Sequence, residues 1–469
     1  MTDKTQLTLK NFFIYNDALG NKEGKEEEKV LYYYPSRTDK DTIMKHVGLT
    51  EAIITFSESF NPSQPCEVLN TEKTKQVFYQ PEKHFWIVMT LNVPYKFSAE
   101  GREYLGCEVQ DSVCQAVLRQ SYAMAHLFMG PFTNLLDSEN PDEKSLSVIK
   151  LKLEKFYNKY LHSLHLEHCD ILDVFQGVQF LPLDKTTFLQ VQCFINHVEI
   201  AFSDIEFSIF LFNEHLVWSG LEPEELQVVF RYLVNSLLLS QAEKDHQNGI
   251  SSQISTLLPR GNFITGPADL QKPFNGNSLN KIPLLHLKRS HQSTSVYQMV
   301  VYRFQNATLC LFYKNTTCLT IDTFRVLDDF LSSRLRKLAG EVGDYLARQA
   351  AVSTLNDSSS RFVYFNRMNL ATKSSIHLDN RRSGNISVSV EVLRLLADIN
   401  SDHWALSQSG NPTAETIMKT VNDYWVVGKL SNAREFYVVT QHKNANIAEI
   451  SDEVKKICDK QLKSIFFHV

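Results

Sequence analysis

His84-Phe-Trp-Ile-Val-Met89 is apolar on both alternating faces. A strand of that kind exposes no polar side to water, so it lies centrally in a sheet covered above and below. Two further strands precede it. Leu9-Lys-Asn-Phe-Phe-Ile-Tyr15 and Val30-Leu-Tyr-Tyr-Tyr34 flank the charged loop Asn21-Lys-Glu-Gly-Lys-Glu-Glu-Glu28, and Pro35 stops the second one. Together they read as a hairpin. Asp39 or Asp41 is placed to cap a helix over residues 41–60, with Ile43, Val47, Ala52, Ile53 and Ile54 as its apolar face. Pro62 and Pro65 end it. Residues 66–80 read as one further strand before the central one. Two helices follow, one opening at Asp111 and one running through Val148, Leu151, Phe156 and Leu164. Strand–strand–helix–strand–strand and then helices is the plan of an antiparallel sheet with helices packed on it.

The same plan recurs twice. Thr187 to Val198 reads as a helix. Phe207–Phe212 and His215–Trp218 form a hairpin around Asn213-Glu214, and Pro223 opens the next helix. Residues 240–261 read as a polar loop. Strands are expected near 262–265, 282–287, 296–304 and 307–313. Phe324, Leu327, Leu331, Leu335, Leu338, Val342 and Tyr345 then mark a long helix from Asp322 to about Arg348. Beyond the linker Asn356-Asp-Ser-Ser-Ser360, strands are expected at 361–365, 386–390, 424–429 and 435–441. Helices are expected near 392–398 and 414–421. A last helix begins at Asn446, with Glu449 three residues on as in a capping box. The fold class is therefore α/β in the α+β sense, as three modules over residues 1–170, 171–355 and 356–469.

Composition narrows the function. The chain has 469 residues, 43% hydrophobic and 22% charged, with a formal net charge of −5. That balance gives no general drive toward nucleic acid, although residues 361–469 carry 14 Lys+Arg against 11 Asp+Glu. The opening Met1-Thr-Asp-Lys-Thr-Gln6 is polar and does not read as a secretory signal. Eight cysteines without a C-x-x-C pair read as scattered thiols of a reducing compartment. The sequence holds no phosphate-binding loop, dinucleotide fingerprint, H-E-x-x-H or G-x-S-x-G motif. His162, His165, His168 and Cys169 are the sharpest metal candidates. Nothing completes the set at zinc spacing, so no metal and no cofactor are expected. Carboxylate pairs such as Glu224-Glu225 and Asp328-Asp329 fall on polar helix faces, and no covalent enzyme chemistry is expected from them.

Several stretches in order carry a resemblance. They include Phe12-Phe-Ile-Tyr-Asn16, Glu23-Gly-Lys-Glu-Glu-Glu-Lys-Val-Leu31, Val47-Gly-Leu-Thr-Glu-Ala-Ile53, Phe85-Trp-Ile-Val-Met89, Val117-Leu-Arg-Gln-Ser-Tyr122, Phe175-Gln-Gly-Val-Gln-Phe-Leu-Pro-Leu-Asp184, Leu216-Val-Trp-Ser-Gly-Leu-Glu222 and Phe263-Ile-Thr-Gly-Pro267. In this order they resemble the Ccz-one family of vacuolar fusion proteins in its animal-type form. The resemblance implies three longin domains. It also implies a heterodimer with a Mon-one protein through the first longin domains and, in animals, a third scaffold-like subunit. Such a complex is expected to be a non-covalent guanine-nucleotide exchange factor for the late-endosomal Rab GTPase, Rab-seven. Within that reading, Lys45, His46, Thr50 and Glu51 are candidate surface positions for the Rab platform. Lys373, Arg381 and Arg382 are candidates for contact with anionic membrane, and recruitment to late endosomes or lysosomes from the cytoplasm is expected to be peripheral. The rival readings are a Hermansky–Pudlak-type triple-longin subunit acting on other Rabs and a scaffold without a role in exchange.

Overall fold

A computed structural model of the chain describes residues 4–20, 24–62, 66–98, 101–136, 143–241, 261–267, 270, 282–289, 293–353, 361–376 and 388–462. The chain divides into two compact units, residues 1–175 with 381–404 and residues 176–380 with 405–469.

In the first unit, strands β1 (Thr8–Asn16), β2 (Val30–Tyr34), β3 (Val68–Asn70), β4 (Thr74–Glu82) and β5 (Phe85–Asn92) form one antiparallel sheet in the order β2-β1-β5-β4-β3. The two central strands alternate strictly. Phe12, Ile14, Phe85, Ile87, Met89 and Leu91 face α2 (Asp111–Met129) and α3 (Glu143–Ser163), where they meet Val117, Leu118, Leu153 and Tyr157. Phe13, Tyr15, Trp86 and Val88 face the other way and meet Val47 and Ile54 of α1 (Lys40–Phe60). A period of two thus feeds two cores. The helix starts where Asp39 accepts a hydrogen bond from the Thr42 amide at 2.8 Å.

One expected strand is two. Residues 66–80 are broken by a turn in which the Thr71 amide donates to the Thr74 carbonyl at 2.9 Å and the Thr74 amide donates to the Thr71 hydroxyl. Threonine hydroxyls competing with the ladder in this way end strands locally. A small hairpin of β6 (Tyr95–Ser98) and β7 (Gly101–Tyr104) follows the sheet, and a short helix α4 (Ile171–Phe175) closes the unit's first segment.

The second unit holds two more sheets. After β8 (Val178–Gln179) and α5 (Lys185–Ala201) come β9 (Ile205–Phe212), β10 (His215–Ser219), α6 (Pro223–Tyr232), β11 (Asn262–Phe263), β12 (Leu284–Arg289), β13 (Ser293–Phe304), β14 (Ala307–Lys314) and α7 (Ile321–Ser353). Asn213 and Glu214 both have positive φ, as a two-residue hairpin turn of matching twist requires. The sheet runs β10-β9-β14-β13-β11, with β12 also on β13. Its core joins Phe210, Val300 and Leu309 to Val191 and Ile195 of α5 and to Phe324, Leu331 and Leu335 of α7.

The last elements are β15 (Arg361–Asn366), β16 (Ala371–Ser374), α8 (Val390–Gln408), β17 (Thr413–Lys419), β18 (Tyr424–Ser431), β19 (Arg434–Gln441) and α9 (Ile447–Leu462). Their sheet runs β17-β18-β19-β15-β16-β8. Setting β8 and the two-residue β11 aside, all three sheets have one order: second, first, fifth, fourth and third strand of the module. The capping box of α9 forms on both sides. The Glu449 amide donates to Asn446 Oδ1, and the Asn446 amide donates to the Glu449 carboxylate.

Two expectations fail here. Residues 414–421 do not form a helix; β17 pairs along its whole length with β18 from Thr413↔Ser431 to Lys419↔Trp425. Thr413, Thr416 and Ile417 are β-branched, and a partner strand decides what local propensity leaves open. Of the strand expected at 386–390, Val390 opens α8, and residues 386 and 387 lie outside the described residues. Most of the 240–261 loop lies outside them as well.

The segment 176–181 ties the second unit together. Val178 and Gln179 pair in parallel with Ala371 and Thr372 of β16, and Phe180 bridges to Leu216 of β10. The Val178 amide donates to the Leu370 carbonyl and the Leu181 amide to the Leu216 carbonyl, each at 2.8 Å. One extended segment therefore covers two sheet edges, groups that otherwise stay unpaired. Gly177 permits the approach, because a Cβ there would lie 2.5 Å from Thr372 Cβ. At Gly220 the nearest atom would be 3.7 Å away, which is ordinary contact. Gly177→Ala is expected to destabilise the chain by roughly 1–3 kcal/mol in thermal or urea unfolding, and Gly220→Ala by clearly less. Equal losses at both positions would show that the tight approach is not limiting.

Candidate functional site

Helix α1 has a full inward stripe and an unusual outward one. Val47, Thr50 and Ile54 are buried against the sheet. On the opposite side, Lys45, Leu49, Ala52, Phe56 and Phe60 recur at three and four residues and are all exposed. Leu49 is 58% exposed, Phe56 67% and Phe60 74%. The Phe56 and Phe60 rings meet edge to face with centroids 4.8 Å apart. Scattered exposed apolar residues are ordinary, but an aligned row on one helix is a candidate contact surface.

Strand β2 lies beside this helix at the edge of its sheet. Tyr33 of β2 stacks on His46 of α1 at 9° between rings, and its hydroxyl is 2.7 Å from His46 Nδ1. Lys29 Nζ reaches both Glu51 carboxylate oxygens at 2.9 and 3.2 Å. Lys40 Nζ meets Glu27 at 2.7 Å. These contacts tie α1 to β2 and to the segment that precedes it.

The sequence candidates separate on this frame. Lys45 is exposed and shares the outward stripe. His46 is half-buried on Tyr33, and Glu51 is half-buried and engaged by Lys29. Thr50 is a correction: it is fully buried, and its hydroxyl accepts from Gln76 Nε2 at 3.2 Å, because residue 50 falls on the Val47–Ile54 side of the helix. Ala52, expected in the apolar core face, is exposed instead. The exposed apolar row is carried instead by Leu49, Phe56 and Phe60, apolar residues outside the inward stripe.

Lys373 is a second correction. It is half-buried, its Nζ donates to the Gln461 carbonyl, and burial pushes its pKa below the ordinary lysine value. It does not project as a surface charge. Arg381 and Arg382 lie outside the described residues.

The remaining candidates for chemistry are occupied by structural contacts. His162 Nδ1 faces the Asn158 carbonyl and His165 Nδ1 the Ser163 carbonyl, both at the end of α3. Among the described residues, no group of three or more His, Cys, Asp or Glu is placed to hold a metal ion. A hollow of about 640 Å³ in the second unit is lined by Asp184, Thr187, Gln190, Glu341, Asp344 and Arg348 among others. Its Asp184 carboxylate caps α5, accepting from the Thr186 and Thr187 amides and from the Thr187 hydroxyl. Those bonds hold the carboxyl below its usual pKa, led by the Thr187 hydroxyl, so it is an acceptor rather than an acid. Among the described residues no helix is long and apolar enough to cross a membrane.

Comparison with known proteins agrees with this architecture. Residues 9–130 match the family described as the first longin domain of INTU, CCZ1 and HPS4. Residues 205–338 match Intu longin-like domain 2, and residues 356–457 match Intu longin-like domain 3. The fold is that of a triple-longin protein. Along nearly its whole length the chain is similar to vacuolar fusion protein CCZ1 homologs. It is 39% identical to the one from Nematostella vectensis, covering 99% of both chains. It is 37% identical to that of Xenopus tropicalis over 98% of this chain and 97% of the relative. It is 28% identical to that of Dictyostelium discoideum over 98% of each. The chain belongs to the CCZ1 family of vacuolar fusion proteins.

The His46 contact has a pH signature. Burial, with Lys10 adding repulsion and Asp39 opposing it, lowers the His46 pKa from its ordinary value. A lowered histidine pKa means that folding favours the neutral ring. The contribution is present in full above ~6.5 and is lost as pH falls through the lower folded value. Melting temperature measured downward from neutral pH is expected to fall less in His46→Gln than in the parent chain. Parallel curves for the two would mean that His46 does not carry the effect.

Proposed function

We propose that this chain is one subunit of a guanine-nucleotide exchange factor for the late-endosomal Rab GTPase, Rab-seven. In this reading its partner is a Mon-one protein, and the first modules of the two chains pair. The observation that carries it is the α1 stripe of Leu49, Phe56 and Phe60 beside the edge strand β2. A second longin-type module offers a matching sheet edge and apolar helix face, so pairing covers both. Burying side chains of this size is worth on the order of 1.5–3 kcal/mol each before association costs. Membership of a family of vacuolar fusion proteins supports the trafficking context.

Exchange suits a protein that acts through surfaces. A Rab holds its nucleotide through Mg²⁺ and ordered switch loops. An exchange factor binds the nucleotide-free state more tightly than the loaded one, and that difference drives release. GTP then displaces the factor. The parts needed are a rigid platform and a few residues that reorganise a switch. Lys45 at the rim of the stripe is a candidate for Rab contact; His46 and Glu51 hold the platform. The proposed complex is cytoplasmic, recruited peripherally to late endosomes or lysosomes, and includes a scaffold-like third subunit in animals. The domains of this chain are taken as residues 1–170, 171–355 and 356–469.

The test is nucleotide release from loaded Rab-seven, followed by fluorescence. This chain alone is expected to leave release unchanged, and the pair with Mon-one to accelerate it. Phe56→Asp is expected to weaken pairing by at least about tenfold, as loss of a central aromatic contact does. Lys45→Glu is expected to slow release while the pair still copurifies. Fast exchange by the isolated chain would contradict the shared platform, and intact pairing in Phe56→Asp would contradict the surface.

A further inference from the structure

Helix α1 is held loosely in three independent respects. Of its 21 residues only Val47, Thr50 and Ile54 are buried. Helix α3, of the same length, buries Leu146, Ile149, Leu153, Tyr157 and Leu161 on the opposite face of the sheet. Few buried apolar contacts put an element at the low-stability end of a fold. The second respect is what lies beneath the helix. Asn11, Thr90 and Gln76 stand side by side on β1, β5 and β4, two residues along from Phe13, Val88 and Phe78 of the α1-facing core. Gln76 Nε2 donates to the Thr50 hydroxyl. Asn11 and Thr90 are 4% and 6% exposed, yet Asn11 Oδ1 and Thr90 Oγ1 have no hydrogen-bond partner among the described residues. An unpaired buried polar atom gives up its hydration without return. The third respect lies in the helix itself. Gly48 sits near its middle, and a Cβ there would meet nothing within 4 Å beyond the helix's own backbone. Packing within the chain does not require this glycine, and glycine weakens a helix relative to alanine. Thr50, Ile53, Ile54 and Thr55 add β-branched residues, which helices also favour less.

We propose that α1 is a mobile element built into the first unit: it lifts from the sheet ahead of α2 and α3, and contact on its outer stripe seats it. Lifting admits water to Asn11 and Thr90, so the lifted position recovers hydration that the seated one gives up. An apolar row in place of Asn11, Thr90 and Gln76 would hold the helix down. The Tyr33–His46 and Lys29–Glu51 contacts come from β2 and the residue before it, so they tether α1 on one side of the seam. The Lys40–Glu27 pair is exposed on both partners, where an ion pair holds little. The sheet itself does not have to move, because α2 and α3 pack its opposite face. For what seats the helix, the inference rests on the docking reading above: a partner that covers Leu49, Phe56 and Phe60 orders α1 as it binds. The free chain then presents no settled platform, which fits the expectation that it leaves nucleotide release unchanged on its own.

The measurement is hydrogen–deuterium exchange of the full-length chain alone, with each amide scaled to its unstructured rate. Amides of residues 46–57 are expected to exchange at least about tenfold faster than those of residues 149–160 in α3, the helix of equal length. Thr90→Val removes an unpaired buried hydroxyl and is expected to slow α1 exchange by about three- to tenfold. Gly48→Ala is expected to slow it by a similar factor. Thr50→Val, the same chemical change at a hydroxyl that has a partner, strands Gln76 and is expected to speed it. All three variants are expected to leave α3 as it is in the parent chain. Protection of α1 equal to that of α3 in the parent chain overturns the proposal. Unchanged or faster α1 exchange in Thr90→Val overturns it as well, and so does equal slowing of both helices, which would be a global effect rather than a local seat. No partner takes part, so failure here leaves the docking reading standing, and a failure of docking leaves the mobility of α1 standing.

Discussion

Everything in the first unit follows from two strands that are apolar on both sides. Phe12 to Tyr15 and Phe85 to Leu91 are buried without interruption. Such a pair cannot face water on either side, so it requires helices on both. α1 takes the Phe13, Tyr15, Trp86 and Val88 face, and α2 with α3 take the other. Each covering helix then presents its own outer side. The chemistry of these outer sides differs: aromatic and aliphatic on α1, lysine with two aliphatic residues on α3. The sheet therefore sets where the surfaces are, and the residues turned away from it set what they meet.

The three modules share one strand order but treat the second-strand edge differently. In the second unit the segment 176–181 reaches both β10 and β16, so neither edge stands alone. In the first unit β2 has only β1 as a neighbour among the described residues. An uncovered edge beside an apolar helix stripe is the combination that invites a partner strand and helix. A protein whose own later modules cap this edge internally has kept it open in the first.

Much of the fold is legible in the amino-acid sequence alone. The central strand at 84–89, the Asp39 cap, the Asn213-Glu214 hairpin and the Asn446–Glu449 capping box each depend on residues close in sequence, where local chemistry suffices. The failures depend on distant residues. β17 is a strand because β18 lies beside it, and nothing within residues 413–419 decides that. β8 exists because Leu370 and Thr372, almost two hundred residues away, offer it a backbone. The candidate site shows the same division. Thr50 reads as a surface residue because threonine is polar, yet a hydroxyl with Gln76 as partner is content inside. Leu49, Phe56 and Phe60 do not stand out in the sequence, because an apolar residue on a helix is first assigned to the core. Their spacing opposite to Val47 and Ile54 is the signal that separates them from it.

The proposed docking of the first module through α1 and β2 is tested most directly by hydrogen–deuterium exchange on this chain, free and with the proposed Mon-one partner bound. Amides of residues 30–34 and of the outer half of 45–60 are expected to exchange more slowly in the complex, while those of α3 keep their free rates. Unchanged exchange across β2 and α1, with protection appearing elsewhere, would contradict docking through this surface.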